Sequence, residues 1–499
     1  MRSGSTADIP GQPTATEGGN LLAAWSDLPG RLAWVRAFRR LVATHQDELV
    51  ALVAQETHKP PFEALTADIL PLLVSCRWHE RRAAGLLRPR RVRGKGWFAP
   101  GQRHWVHREP VGLVGIIATW NYPLQLLGIQ LVQALVAGNR VVVKPSEHAP
   151  NSQQRLMELA VAAGLPHGVL RWTEATRDAG PRMLDHERPD HVIFTGSTRV
   201  GRQVAAWAAQ SLTPTTLELS GHDSALVLAD ADPALAARAI WNGVVMNAGQ
   251  TCMAPRRVLV DRSIYDRFLD ALAPLAAGAR PLRLIDDAPA ARCWELASSA
   301  LADGARSLSG VLERPDGPWI RPLAMVDCPP KAALVDGDHF GPVVAVVPVS
   351  GLEDALRVHR RGGQHLSASV YTRDVAAARH AAAALGASYV TINDTVLPTV
   401  HPATGIGGRG LSGWGVSRGD EGLLAMTRAV TISATSARLR LPMGTPTTAS
   451  AAALARLIRR VFGGGRPPGP VSGASARANE ETQTVVLTRA APGGAVNKP

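Results

Sequence analysis

Val111-Gly112-Leu113-Val114-Gly115-Ile116-Ile117, then Thr119-Trp120-Asn121-Tyr122-Pro123, then Val141-Val142-Val143-Lys144-Pro145-Ser146-Glu147: these three pieces decide the fold. The first is an apolar run of strand length, the signature of a strand buried on both faces. A helix is predicted from about Leu124 to Ala137, and Val141–Val143 is a second buried strand. Strand, helix and strand in that order read as a βαβ unit and therefore a parallel sheet. Ligands of such sheets bind beyond the carboxyl ends of the strands. Asn121, Lys144 and Glu147 all stand there. Two plainer readings compete: Asn121 as an N-cap ahead of proline, and Lys144 with Glu147 as an exposed turn.

Working outward, the pattern repeats. Helix Ser152–Ala163, strand Leu170–Trp172 and strand His191–Phe194 lead into Thr195-Gly196-Ser197-Thr198-Arg199-Val200-Gly201, with a helix to about Ser211. A Gly/Ser turn that opens a helix can offer backbone N–H groups and the helix dipole to a phosphate. Gly405-Ile406-Gly407-Gly408-Arg409-Gly410 has the spacing of a dinucleotide fingerprint but no strand before it, so it is rejected as such a site. Upstream, residues 1–18 are expected to be disordered, and residues 21–87 read as helical with a break at Lys59-Pro60-Pro61. Residues 91–108, with Trp97, Pro100 and Trp105, read as an extended arm. Downstream come strand Val258–Asp261, helix Tyr265–Ala277, strands Val343–Val347 and Ala368–Thr372, helix Val375–Leu385 and strand Tyr389–Asn393.

Two reactive side chains stand out. Cys252 lies in Asn247-Ala248-Gly249-Gln250-Thr251-Cys252-Met253-Ala254-Pro255, a turn-forming stretch between a helix (Leu235 to Met246) and a strand. A thiol on a tight turn can be exposed and aimed, although most free cysteines are simply buried. Glu218, in Thr216-Leu217-Glu218-Leu219-Ser220-Gly221, ends a strand among apolar neighbours. Desolvation there would raise its pKa and make it a usable base near neutral pH.

Composition sets the outer limits. With 45% hydrophobic residues in 499, the chain can bury large cores and reads as several domain-sized units. The cysteines at 76, 252, 293 and 328 have neither metal-like nor disulfide-like spacing, so no metal site is expected and a reducing compartment fits. No secretory h-region and no apolar run of spanning length is present, so the expected location is cytoplasmic. The net charge of +13 is carried almost wholly by arginine and shows no nucleic-acid module, so no nucleic-acid partner is expected.

The chain resembles the aldehyde dehydrogenase superfamily, most closely the class 3 type that acts on fatty and aromatic aldehydes. The resemblance is carried by Glu109–Gly112 through Pro123, Val143-Lys144-Pro145-Ser146-Glu147, Phe194–Gly201, Leu212–Pro214 with Thr216–Leu219, and Gly249–Pro255. Phe340-Gly341-Pro342-Val343 and Gly407-Gly408 with Ser412–Gly415 continue it in the family's order, and Glu218 and Cys252 are the family's 34 residues apart. It implies an α/β fold with a Rossmann-like NAD-binding domain (residues 19–217, with the arm 91–108), a catalytic domain (218–406), a return segment (407–437) and a small β bridging arm that pairs across a homodimer. It further implies Cys252 as nucleophile, Asn121 and the Cys252 N–H as oxyanion hole, and Glu218 as the base that activates water on a thioester. Thr119, Trp120, Lys144, Glu147, Gly196, Ser197, Val200, Gly201, Leu219, Asp338 and Phe340 would hold NAD, with NADP as the alternative cofactor. The substrate would be a small-molecule aldehyde.

Departures from the family pattern are Ser220 and His222 beside the base, Ser224, and Asp338 where a glutamate is usual. All three catalytic side chains are kept, so an active, diverged enzyme is expected. Two other readings are a CoA-acylating enzyme of the same fold, against which Glu218 argues, and a catalytically silent scaffold or peripheral membrane protein. Residues 438–499 lie outside the resemblance and carry nine Arg or Lys against Glu480 and Glu481. Within them Leu454, Leu457, Ile458, Val461 and Phe462 form one face of a possible amphipathic helix over 451–462, which could meet an anionic membrane or merely dock on protein.

Overall fold

The computed structural model describes Trp25 and residues 27–93, 101–310, 312–436 and 447–463. The expected disordered start, Trp97 and Pro100 of the arm, and the tail beyond Gly463 lie outside them. Contacts divide the chain into a large unit, residues 1–94 with 103–434, and a small one, residues 95–102 with 435–499.

In the large unit the opening βαβ reading holds. Strand Leu113–Ile117 lies parallel to Arg140–Lys144, with Leu113 opposite Arg140 and Ile117 opposite Lys144. Both belong to a six-stranded sheet ordered Gly413–Trp414, Thr215–Leu219, His191–Gly196, Leu113–Ile117, Arg140–Lys144, Leu170–Trp172. Only the Gly413–Trp414 edge runs antiparallel. Side chains along each strand alternate between two cores, as strand geometry requires. Val114, Ile116, Val141 and Val143 face a core built with the helices Leu28–Thr44, Leu70–Leu87 and Pro123–Val136. Leu113, Val142, Val192, Phe194 and Leu217 face the other side, with Met183 and Val204 from helices Ala179–Glu187 and Thr198–Ser211.

A seven-stranded sheet follows in the order Arg306–Ser307, Leu323–Val326, Val343–Val349, Pro255–Asp261, Asp223–Val227, Ser367–Tyr371, Tyr389–Ile392. It is parallel except at its first edge and also carries a core on each face. Three residues, Ser220–His222, join the strand that ends in Leu219 to the strand that begins at Asp223. That brevity places Glu218 at the junction of the two sheets. Strand Asp223–Val227 was not expected, because Asp223 and Ser224 break its apolar run. Helices Ala179–Glu187, Asp287–Ala302 and Gly351–His359 were likewise not anticipated. The arm pairs as expected, in a three-stranded sheet of Arg90–Arg91, Gln102–Pro110 and Thr427–Thr435.

Tertiary anchors in the N-terminal helices are aromatic. Trp34 stacks on Phe38 at 5.5 Å, meets Trp25 edge-on at 5.9 Å, and donates its indole N–H to the Ala160 carbonyl at 2.8 Å. Trp34→Ala removes this packing and leaves a cavity, which should cost about 3–5 kcal/mol. Urea unfolding should show a lower midpoint with an unchanged slope.

Candidate active site

The Cys252 turn is held by hydrogen bonds from every side. Helix Pro233–Val245 ends and the chain turns through Asn247 and Ala248, both left-handed (φ 50° and 53°). Gly249 follows at φ 72°, where an added Cβ would sit 2.4 Å from the Gly341 carbonyl carbon, so only glycine fits. Arg256, fully buried in the next strand, donates to the carbonyls of Gly249 (2.8 Å), Thr251 (3.0 Å) and Gly341 (2.7 Å). Tyr122 and Thr251 join their hydroxyls at 2.5 Å. The Cys252 thiol is half-buried, while Cys76, Cys293 and Cys328 are buried. Burial, then the nearby Glu218 and Asp223, push the Cys252 thiol up to about 12, so at neutral pH it carries its proton.

Glu218 is buried, and desolvation raises its pKa as the sequence reading requires. The Ser417 hydroxyl donates to one carboxylate oxygen and Thr195 to the other (3.5 Å), with the Arg418 charge close by. These partially offset the burial.

Asn121 is not an N-cap. Tyr122 takes the cap position of helix Pro123–Val136, without a side-chain bond. The Asp68 carboxylate instead accepts from the Leu124 and Gln125 N–H groups at 3.2 and 3.3 Å. Asp68 sits in a π-helical segment, Ala64–Ile69, and pairs at 2.5 Å with Lys59, both side chains being fully buried. Lys59 also donates to the Asn121 carbonyl at 2.9 Å, as does the Asn247 amide at 2.9 Å. The Asn121 backbone is thereby pinned. Its side-chain amide gives one N–H to the Gln250 carbonyl (3.1 Å), two residues before Cys252, and keeps a second for a ligand.

Cys252, Glu218, Thr195 and Arg418 line one cavity of about 350 Å³. Phe62, Leu126, Met246, Met253, Leu366 and Ile406 contribute apolar wall, and Phe62 and Leu397 remain largely exposed. Asn121 does not line this cavity, but its side-chain amide meets the nucleophile turn at Gln250.

The expected cofactor residues gather mainly at the carboxyl ends of the six-stranded sheet. Lys144 is buried and donates to Glu147 at 2.8 Å; Arg177 donates to the other Glu147 oxygen at 3.0 Å. Burial opposes ionisation of Glu147, but these two bonds outweigh it and hold the carboxyl down at about 2. The exposed-turn reading therefore fails for Lys144. Gly196 and Gly201 pack tightly, since a Cβ would lie 2.6 Å from the Phe194 ring and 2.4 Å from the end of Leu219, so a side chain would force those residues to move. Ser197 caps helix Thr198–Ser211 by accepting from the Val200 N–H at 3.3 Å. The Thr119 carbonyl accepts from Gln153 at 2.7 Å. Phe340 reaches over from the second sheet to meet Trp120 edge-on at 5.8 Å, and Asp338 stays exposed two residues before it. A carboxylate beside a lysine suits ribose hydroxyls, and the start of the Thr198–Ser211 helix suits a pyrophosphate. These residues thus fit a nicotinamide dinucleotide.

The family model for the aldehyde dehydrogenase family matches residues 15–432. The chain belongs to the aldehyde dehydrogenase family. It is an oxidoreductase that oxidises aldehydes. It is 32% identical to a 4,4'-diapolycopene aldehyde oxidase from a Methylomonas species, over 84% of this chain and 80% of that protein. It is 30% identical to a putative NADP-dependent succinate-semialdehyde dehydrogenase from Mycobacterium ulcerans, over 88% and 87%. Among solved structures, the NAD+ complex of a Bacillus cereus aldehyde dehydrogenase superposes with a TM-score of 0.76 at 28% identity, covering 83% of this chain and 86% of that one.

Against that family pattern, the departures beside the base are each accommodated. The glycine that must remain is Gly221, where a Cβ would lie 2.5 Å from the Cys252 carbonyl; Ser220 accepts a hydrogen bond from Ser412. His222 is buried and neutral, its pKa lowered to about 3 mainly by burial, and it bonds the Val335 carbonyl at 2.8 Å. Ser224 accepts from the buried Arg257 at 2.7 Å and meets His359 at 2.9 Å. Sequence reasoning missed Lys59, Asp68, Arg256, Ser417 and Arg418. Only the Ser412–Gly415 motif just before Ser417 hinted that this segment returns to Glu218.

Since Cys252 is the one cysteine that is not buried, iodoacetamide should label it ahead of the other three. With its pKa near 12, labelling should rise about tenfold per pH unit from pH 7 to 9, tracking the thiolate fraction. Peptide mass spectrometry would read the site, and a rate that levels off near neutral pH would contradict the raised pKa.

Proposed function

We propose that this aldehyde dehydrogenase oxidises long, apolar aldehydes to carboxylic acids through a covalent intermediate on Cys252. The carrying observation is the shared cavity: a largely apolar wall together with a half-buried thiol and a buried carboxylate of raised pKa. Glu218 removes the thiol proton, directly or through one water, and the Cys252 sulfur attacks the aldehyde carbon. The Asn121 amide and the Cys252 N–H receive the developing oxyanion; preorganised donors of this kind are a large catalytic factor. NAD bound at Lys144, Glu147 and the Gly196–Gly201 turn supplies the hydride acceptor. Cys252 is left as a thioester. Glu218 releases the thiol's proton to solvent, then takes a proton from water, whose oxygen attacks the acyl carbon, and passes it to the departing sulfur, so that the acid leaves as the thiol reforms.

Glu218 on the cavity wall supports hydrolysis over transfer of the acyl group to coenzyme A. The intact three-part site weighs against a silent scaffold. Glu147, held ionised, supports NAD over NADP because a carboxylate repels a 2'-phosphate. The exposed strand Thr427–Thr435 at the edge of the three-stranded sheet supports pairing with a second copy.

Substrate length is supported by the wall chemistry and by the similarity to an enzyme named for a diapolycopene aldehyde. Arg418, the cation of the cavity wall, is already bonded to the Thr399 carbonyl at 2.9 Å beside Glu218, so it suits Glu218 rather than a substrate carboxylate. A panel of straight-chain aldehydes tests the reading. With NAD, kcat/KM should rise roughly three- to fourfold per added methylene until the cavity is filled, the value expected for burying a CH₂. Cys252→Ala should abolish turnover. A preference for acetaldehyde or succinic semialdehyde over dodecanal would contradict the apolar assignment.

A further inference from the structure

The small unit contains a helix, Thr448–Phe462, of sequence TASAAALARLIRRVF. Thr447 caps its start by accepting from the Ser450 N–H at 3.2 Å, and none of its residues is buried. Leu454, Leu457, Ile458, Val461 and Phe462 recur at helical spacing on one face, each at least 40% exposed. Arg456, Arg459 and Arg460 occupy the opposite face, and the helix holds no acidic residue. The flanking sequence continues the sign: residues 438–499 carry nine Arg or Lys and two Glu.

We propose that this helix docks on an anionic lipid bilayer, lying in the interface with its leucine, isoleucine, valine and phenylalanine side chains in the acyl boundary. Charge complementarity decides the occupant. An apolar stripe alone would suit a protein groove equally well. An apolar stripe backed by a face whose only charged residues are arginines, inside a strongly basic segment, has both components that bind an interfacial helix to acidic headgroups. Arginine stems can lie along the boundary while their guanidinium groups reach phosphates. The helix does not span the bilayer: its 15 residues reach about 22 Å, short of the roughly 30 Å hydrocarbon core. No helix among the described residues is long and apolar enough to cross.

Co-sedimentation of the full-length protein with vesicles tests this without reference to the cavity or its substrate. The probe vesicles are phosphatidylcholine alone, or phosphatidylcholine with about 30% phosphatidylglycerol, at about 0.05 and 0.5 M salt. The protein should pellet with the anionic vesicles at low salt and bind about tenfold more weakly to neutral ones. Ile458→Glu should lower anionic binding about tenfold by breaking the apolar face. Replacing Arg456, Arg459 and Arg460 by Gln should weaken binding and flatten its salt dependence. Turnover of a water-soluble aldehyde should be unchanged in both variants, which shows that the large unit is folded. Absence of vesicle binding, or equal and salt-insensitive binding by all three proteins, overturns the proposal. So does a dimer that Ile458→Glu dissociates while vesicle binding is unaffected, because a second copy would then cover this face.

Discussion

One fully buried guanidinium holds the site together. Arg256 donates to two carbonyls of the nucleophile turn just ahead of Cys252, at Gly249 and Thr251, and to Gly341, next to Phe340. It also lies 5.6 Å from the Phe340 ring centroid. A single cation thus ties the turn that carries the thiol to the loop that carries Phe340. Burying such a charge is costly, and truncating it would remove a hydrogen bond from three carbonyls, of which Thr251 and Gly341 also accept from the Ala254 and Val343 N–H groups. On the far side, the buried Lys59–Asp68 pair does the equivalent work, fixing the Asn121 carbonyl and the first N–H groups of helix Pro123–Val136. The π-helical turn at Ala64–Ile69 fits this role, since such irregularities often aim a side chain at a functional site.

The electrostatics set a resting state that is chemically quiet. Burial raises both the thiol and the Glu218 carboxyl, and the nearby Glu218 raises the thiol further. In the proposed reaction, attack requires Glu218 to be ionised when the aldehyde arrives. Ser417, Thr195 and Arg418 moderate the rise on Glu218. Acidification protonates Glu218, so the base is lost as pH falls through its raised pKa.

What was legible in the sequence followed from local pattern. The strand Leu113–Ile117, its helix and the strand ending in Lys144 announced themselves through apolar runs and a proline-started helix. Cys252 and Glu218 were legible because a turn and an apolar surround are local features. What escaped notice depends on distant partners. Asp68 looks like any helical aspartate until Lys59 and the Leu124 N–H meet it. Arg256 and Arg257 read as a basic pair after a turn, yet they begin a strand and are buried, because carbonyls and Ser224 supply their acceptors. Asn121 seemed a capping residue by spacing, but Asp68 had taken that task and freed its amide. Ser417 and Arg418 lie about 200 residues from Glu218 in sequence, so no local signal could pair them.

The central claim is that aldehyde carbon becomes covalently bound to Cys252 and is released by Glu218. Intact-protein and peptide mass spectrometry of Glu218→Gln, mixed with NAD and a long-chain aldehyde, tests it most directly. The account predicts an accumulating adduct on the Cys252 peptide, heavier by the aldehyde less two hydrogens, with wild type clearing it rapidly. No adduct, or one on Cys293 or another residue, would contradict it.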